Sequence, residues 1–377
     1  MPETHAARRE RLAAKVAESG ADAALVTHLV NVRYLTGLAS SNAALLVAAR
    51  GTVGTAGTAG AADAATSSAV LATDTRYALA AERDCPDVEL VTDRHVAAAL
   101  VGLAADRGVR RLAFEAHVMT VEHHAALSRD APGLELVPSG HAVEELRMTK
   151  DEAEIAELAS ACRLTCRAFD DVLASIRPDM TERQLAVTVE RHMVDLGADQ
   201  PAFDSIVASG PNGAIPHHVP SQRPFERGDL VTIDMGARVH GYHADMTRTV
   251  AVGPVAAWQR ELYELVAAAQ RAGAAAAVPG AAVAAVDAAA RDLITQAGHG
   301  AHFGHGLGHG VGLEIHEAPL MYHDGTGTLG DRVPITVEPG VYIPGRGGVR
   351  IEDTLVVRTG AGPGELLTTT TKDLLVL

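Results

Sequence analysis
Two stretches of this chain carry the same punctuation, 101 residues apart. A long helical pattern runs to Pro178, Asp179–Met180 turn, and a second helix ends at Gly197. A long helix then runs to Pro279, Gly280 turns, and a second helix ends at Gly298. Pro cannot continue a helix and Gly favours the left-handed cap just past one, so these are physical stops rather than composition. A fixed internal offset is the signature of a duplicated unit. The expectation is two helix–helix–sheet halves in the C-terminal part of the chain, with α+β architecture overall. Upstream, strand and helix signals alternate to about Ala142, which reads as a smaller α/β domain, 1–142, ahead of a larger second domain, 143–377. In that first part Ala23–Val26 and Ala43–Ala49 read as strands and Asn31–Gly37 as a turn. Gly51–Ala69, rich in Gly, Ala, Thr and Ser, reads as a surface loop. Thr149 and Glu152 have capping-box spacing ahead of a long helix to about Ile176.

After each helix pair comes a hairpin with two carboxylates. Asp234 and Asp245 flank Val239-His240-Gly241, and pairing about that turn makes them cross-strand neighbours. Glu338 and Glu352 are centred on Gly345 in the same way. Like charges facing each other destabilise a hairpin, so such pairs in apolar strands need a shared proton, an arginine or a metal. Between them lies Phe303-Gly304-His305-Gly306-Leu307-Gly308-His309-Gly310-Val311-Gly312. Five glycines would cost a helix about 1 kcal/mol each, whereas period two fits an extended strand with one bare face that another backbone can approach. Four carboxylates and an imidazole balance two divalent ions. Oxygen-rich ligation without thiolate favours a hard ion such as Mn2+, and two ions can share a bridging water made nucleophilic near neutral pH, a chemistry suited to amide hydrolysis.

Charge and cysteine usage narrow the setting. Asp plus Glu exceed Lys plus Arg by 47 to 32, giving −15, a field that repels nucleic acid. Cys85, Cys162 and Cys166 are too few for a disulfide framework and read as buried thiols in a reducing compartment. The first twenty residues mix charges with alanines and lack a signal-peptide core, and no apolar span reaches membrane length. The expectation is a cytoplasmic protein that binds neither nucleic acid nor membrane.

The motifs Thr232-Ile233-Asp234-Met235-Gly236, Ala244-Asp245-Met246-Thr247-Arg248-Thr249, His305 to Gly312, His316-Glu317-Ala318-Pro319, Val337-Glu338-Pro339-Gly340 and Arg350-Ile351-Glu352-Asp353 occur in the order of the pita-bread metallopeptidases, and residues from about 150 to 377 resemble that family. Asn31–Gly37 and Asp74-Thr75-Arg76-Tyr77 resemble the N-terminal domain of its aminopeptidase P, prolidase and creatinase branch. The resemblance implies Asp234, Asp245, His309, Glu338 and Glu352 as ligands of two divalent ions, with Mn2+ expected and Co2+ or Zn2+ as alternatives. It implies His217 and His316 beside the scissile carbonyl, Glu338 as proton shuttle, and His305, Tyr342 and Arg350 around a proline pocket. It further implies a homodimer acting on proline-containing peptides, cleaving the Xaa–Pro bond at the N-terminus as an aminopeptidase or a dipeptidase. The rival readings are a creatinase-like hydrolase of a non-peptide C–N bond, a non-catalytic metal-binding member, and metal storage by the His-rich tract.

Overall fold
The computed structural model describes residues 2–50, 69–360, 362 and 364–377. The Gly51–Ala69 loop of the sequence reading falls outside the described residues, apart from Ala69 itself. Cα packing divides the chain into two units, Met1–Arg147 and Met148–Leu377.

The first unit is built on helices α1 (Pro2–Glu18), α2 (Leu29–Thr36), α3 (Ala78–Asp84), α4 (Val96–Asp106), α5 (Val121–Asp130) and α6 (Ala142–Met148). Its strands are β1 (Ala23–Val26), β2 (Ala43–Ala48), β3 (Ala69–Thr73), β4 (Glu89–Thr92), β5 (Arg111–Phe114) and β6 (Glu135–Pro138). They form one sheet in the order β4-β3-β2-β1-β5-β6, with β1–β2 and β2–β3 antiparallel and β1–β5 parallel. Leu25, Leu46, Leu100 and Leu112 meet in its core. Asn31–Gly37 is not a turn. It is the body of α2, whose Val32, Tyr34 and Leu35 are buried, and Gly37 (φ 88°) caps the end in the left-handed region. Asn and Gly made the segment look like a turn, but the apolar residues at helical spacing decide it.

In the second unit, α7 (Glu152–Leu173) and α8 (Glu182–Asp195) precede β7 (Gln200–Pro201), β8 (Ile206–Ser209), β9 (Leu230–Met235), β10 (Ala237–Val239), β11 (Tyr242–His243) and β12 (Met246–Ala251). Then come α9 (Ala257–Ala276), α10 (Val283–Gln296), β13 (Gly308–Gly310), β14 (Glu317–Met321), β15 (Val333–Val337), β16 (Gly340–Ile343), β17 (Gly347–Arg350), β18 (Asp353–Val357) and β19 (Glu365–Leu366). The halves correspond in detail. Asp179 (φ 72°) and Gly280 (φ 84°) hold the left-handed turn between helices, and Gly197 (φ 107°) and Gly298 (φ 85°) the turn after the second helix. The offset is 101 residues in both cases. Each half owns a core, one around Phe169, Val189 and Ile233, the other around Val266, Ile294 and Val337. The capping box of α7 is Asp151 with Glu154, not Thr149 with Glu152. Asp151 lies two residues nearer the helix and its carboxylate takes the Glu154 N–H at 2.9 Å.

Candidate metal centre
Both hairpins deliver their carboxylates to one place, with different registers. In the second, Val337 pairs Asp353 and Gly340 pairs Arg350, so the index sum of 690 runs unbroken through the gap that holds Glu338 and Glu352. These two face each other, as the turn centred on Gly345 requires. In the first, Asp234 pairs Thr247 and Val239 pairs Tyr242, an index sum of 481 rather than 479. The turn is the two-residue His240-Gly241, both with positive φ (48° and 83°), so its centre lies one residue later than pairing Asp234 with Asp245 would need. Asp245 is therefore diagonal to Asp234, two positions from the residue opposite it and on the same face.

The glycine-alternating tract becomes a strand only at β13. Its bare face is used as the pattern demands. A Cβ on Gly308 would lie 2.1 Å from the Thr336 carbonyl oxygen, and one on Gly310 2.2 Å from that of Ala318. The ladder breaks between His309 and Gly310, where β13 hands over from one partner strand register to another. That irregularity ends the long strand expected over 304–312.

His309 stands among the acids. Its Nε2 lies 3.6 Å from Asp245 Oδ2 and 3.4 Å from Glu338 Oε1. Its Nδ1 is 2.9 Å from the Gly310 carbonyl, which takes the Nδ1 proton and leaves Nε2 as the bare ligand atom. Ligand atoms of Asp245, His309 and Glu352 all lie within 4.8 Å of one another. Thr247 Oγ1 donates to Glu352 at 2.7 Å, and Arg350 Nη2 donates to Asp234 Oδ2 at 2.7 Å. The other Asp234 oxygen, Oδ1, is buried without a hydrogen-bond partner.

The charges explain why this set needs a cation. Burial first, then the Glu352, Asp234 and Glu338 charges, raise the Asp245 carboxyl well above its usual range. Burial pushes Glu338 up to about 8, with Asp234 adding to the effect and Arg350 opposing it. Burial and the Glu338 and Asp234 charges raise Glu352 as well. Burial drops His309 to about 4, so it is a neutral imidazole near pH 7. Closely placed acids strained toward protonation, a neutral imidazole and an unpartnered Asp234 oxygen are what a divalent cation would relieve. The donor set fits divalent ions.

Around them opens a cavity of about 750 Å³. His217 and His316, both exposed, line it together with Phe203, Ile206, Val219 and Tyr322. Burial and then the neighbouring His217 lower the His316 imidazole. Also lining it, His305 Nε2 is 2.9 Å from the Tyr342 hydroxyl, which accepts from Arg350 Nη1 at 3.0 Å. All ten residues singled out from the sequence border this one cavity. Sequence reasoning missed Thr247, which orients Glu352, and Pro216, whose carbonyl accepts from Arg350 at 3.2 Å. A hydroxyl two residues after Asp245, on its face of the strand, was the available signal for Thr247.

Comparison with known proteins agrees with this geometry. The model of metallopeptidase family M24 matches residues 156–359, and that of the creatinase/prolidase N-terminal domain matches 8–149. The chain belongs to metallopeptidase family M24. It is 37% identical over 372 residues, 98% of this chain and 99% of the other, to an uncharacterized peptidase, YqhT, of Bacillus subtilis. Among solved structures it is similar to an Xaa-Pro dipeptidase from Bacillus anthracis, with a TM-score of 0.91 and 34% identity over 99% of this chain and 100% of that one. It is also similar to an X-Pro aminopeptidase from Thermotoga maritima, with a TM-score of 0.83 and 32% identity over 95% and 98% of the two chains. The family membership makes the chain a metal-dependent peptidase, and divalent ions belong to its site. No described helix is long and apolar enough to cross a membrane.

Proposed function
We propose that this enzyme hydrolyses the bond between a peptide's N-terminal residue and a following proline. One observation carries the reading: the four carboxylates and His309 converge in a cleft that His217, His316, His305, Tyr342 and Arg350 also line. The relatives named for Xaa-Pro cleavage support it. Asp234, Asp245, His309, Glu338 and Glu352 would hold two divalent ions, Mn2+ in the first instance. Divalent ions there supply Lewis acidity toward water and the scissile carbonyl. The protein does the rest. Glu338 takes a proton from the attacking water and passes it to the departing proline nitrogen. His217 and His316 donate to the carbonyl oxygen as charge develops on it. His305 and Tyr342 confine the proline ring, and Arg350, locked between Asp234 and Tyr342, holds that wall. We further propose that the enzyme works in the cytoplasm as a homodimer.

The test is hydrolysis of Xaa-Pro and Xaa-Pro-Yaa peptides by chelated enzyme to which Mn2+, Co2+ or Zn2+ is returned. Turnover of at least one peptide with Mn2+ is expected. No turnover of either class with any ion would refute the assignment, and the ratio of the two decides between dipeptidase and aminopeptidase.

A further inference from the structure
Glu182 is the first residue of α8 and is fully buried. It lies outside the metal-binding set, yet six hydrogen bonds converge on its carboxylate. Oε1 accepts from Ser209 N (2.8 Å), Ser209 Oγ (2.7 Å) and Asn212 Nδ2 (3.0 Å). Oε2 lies 2.8 Å from His218 Nε2 and accepts from Ser221 N (3.0 Å) and Ser221 Oγ (2.6 Å). The two oxygens thus grip the two ends of one segment, 209–221. Between the ends lie Pro216, whose carbonyl anchors Arg350, and His217, which lines the cleft. Burial alone would raise this carboxyl, but the hydrogen bonds from Ser221, Asn212, Ser209 and His218 bring it down to about 2. A buried charge with this many donors is a fixed anchor, because losing any donor leaves the charge underpaid.

We infer that Glu182 is a positioning residue: it sets the place of His217 in the cleft by clamping segment 209–221 from behind. This rests on the peptidase reading for its catalytic consequence, and on the hydrogen bonds alone for its structural one. The charge matters separately from the shape. In Glu182→Gln, one oxygen still serves Ser209 and Asn212, while the amide NH2 turns toward the Ser221 N–H and so removes the acceptor that Ser221 and His218, the neighbour of His217, share. In Glu182→Ala both grips are gone.

The experiment has two arms on the full-length enzyme. Hydrogen exchange read by mass spectrometry should show loss of protection at the Ser221 amide in Glu182→Gln with Ser209 still protected, and loss of both in Glu182→Ala. Kinetics on an Xaa-Pro-Yaa peptide should show kcat reduced at least tenfold in Glu182→Gln with KM changed less than threefold and metal content unchanged. In a His217→Ala background the same substitution should cost nothing further, because its effect runs through His217. Full protection of 209–221 in Glu182→Gln overturns the inference. So does a Glu182→Gln loss that multiplies with that of His217→Ala. An enzyme inactive on Xaa-Pro peptides would sink the peptidase reading instead, and the exchange arm would still decide the clamp. If Glu182→Ala does not fold, Glu182→Gln carries both arms.

Discussion

Lys150 and Glu317 form an ion pair of 2.6 Å whose side chains are 2% and 5% exposed. Glu317 follows His316 and also takes the Glu314 N–H at 3.0 Å, so the pair fixes the entry to β14 beside the cleft. Removing one partner of such a pair leaves an uncompensated charge in the interior, at a cost of about 3–5 kcal/mol, whereas removing both can be nearly neutral. Lys150→Met should therefore destabilise strongly, and Lys150→Met with Glu317→Gln should recover most of the loss. The assay is urea unfolding of the wild type, both single variants and the double variant, with metal added in equal excess. The slopes should agree, and the Lys150→Met midpoint should fall by about 1.5–2.5 M for a slope of about 2 kcal/mol/M. A single variant within 0.5 M of the wild type would refute the reasoning. So would a double variant no more stable than Lys150→Met.

Asp245→Ala should lower metal content by elemental analysis and abolish peptide hydrolysis together; a fully loaded, fully active variant would remove Asp245 from the ligand set. Gly308→Ala puts a methyl 2.1 Å from the Thr336 oxygen, a clash with backbone that no rotamer relieves. Its cost should exceed about 3 kcal/mol and show as a melting temperature lowered by several degrees, while an unchanged melting curve would mean the strands part more easily than the packing implies. Glu182 has its carboxyl lowered from 4.5 to about 2, so it binds fewer protons folded than unfolded. Its contribution, about 3 kcal/mol from the size of the shift, is present above pH 4.5 and is lost as pH falls toward 2. The stability difference between wild type and Glu182→Gln should shrink over that window, and a difference independent of pH would contradict the assigned shift. Cys85, Cys162 and Cys166 are buried, so a thiol reagent should label them only on unfolding.

The duplication, the paired acids and the glycine face were legible because each rests on a local rule: a helix stop, an alternation, a turn at a fixed place. Glu338 opposite Glu352 came out right because Gly345 marks the turn unambiguously. Asp234 and Asp245 did not, because His240 adopts a positive φ that its identity does not announce, and a turn centred one residue later displaces the whole pairing. Asn31–Gly37 misled because its turn-forming residues outvoted a short buried stripe. Glu182 was invisible for another reason. Its partners lie 27 to 39 residues away, on a segment with no regular pattern, and nothing in a sequence tells an ordinary helix-start glutamate from one that six donors have chosen.

The shared index sum of 690 has a consequence for how this chain can change. Glu338 and Glu352 sit in the gap of a single ladder, and side chains on a strand alternate faces. A residue added to Pro344-Gly345-Arg346 has two places to go. If the exposed tip takes it up as a four-residue loop, every pair and both ligands stay as they are. If the three-residue turn is kept instead, the partners beyond it slide by one and Glu352 turns away from Glu338. The metal ligands thus tolerate a longer tip only while the tip, and not the ladder, absorbs the change.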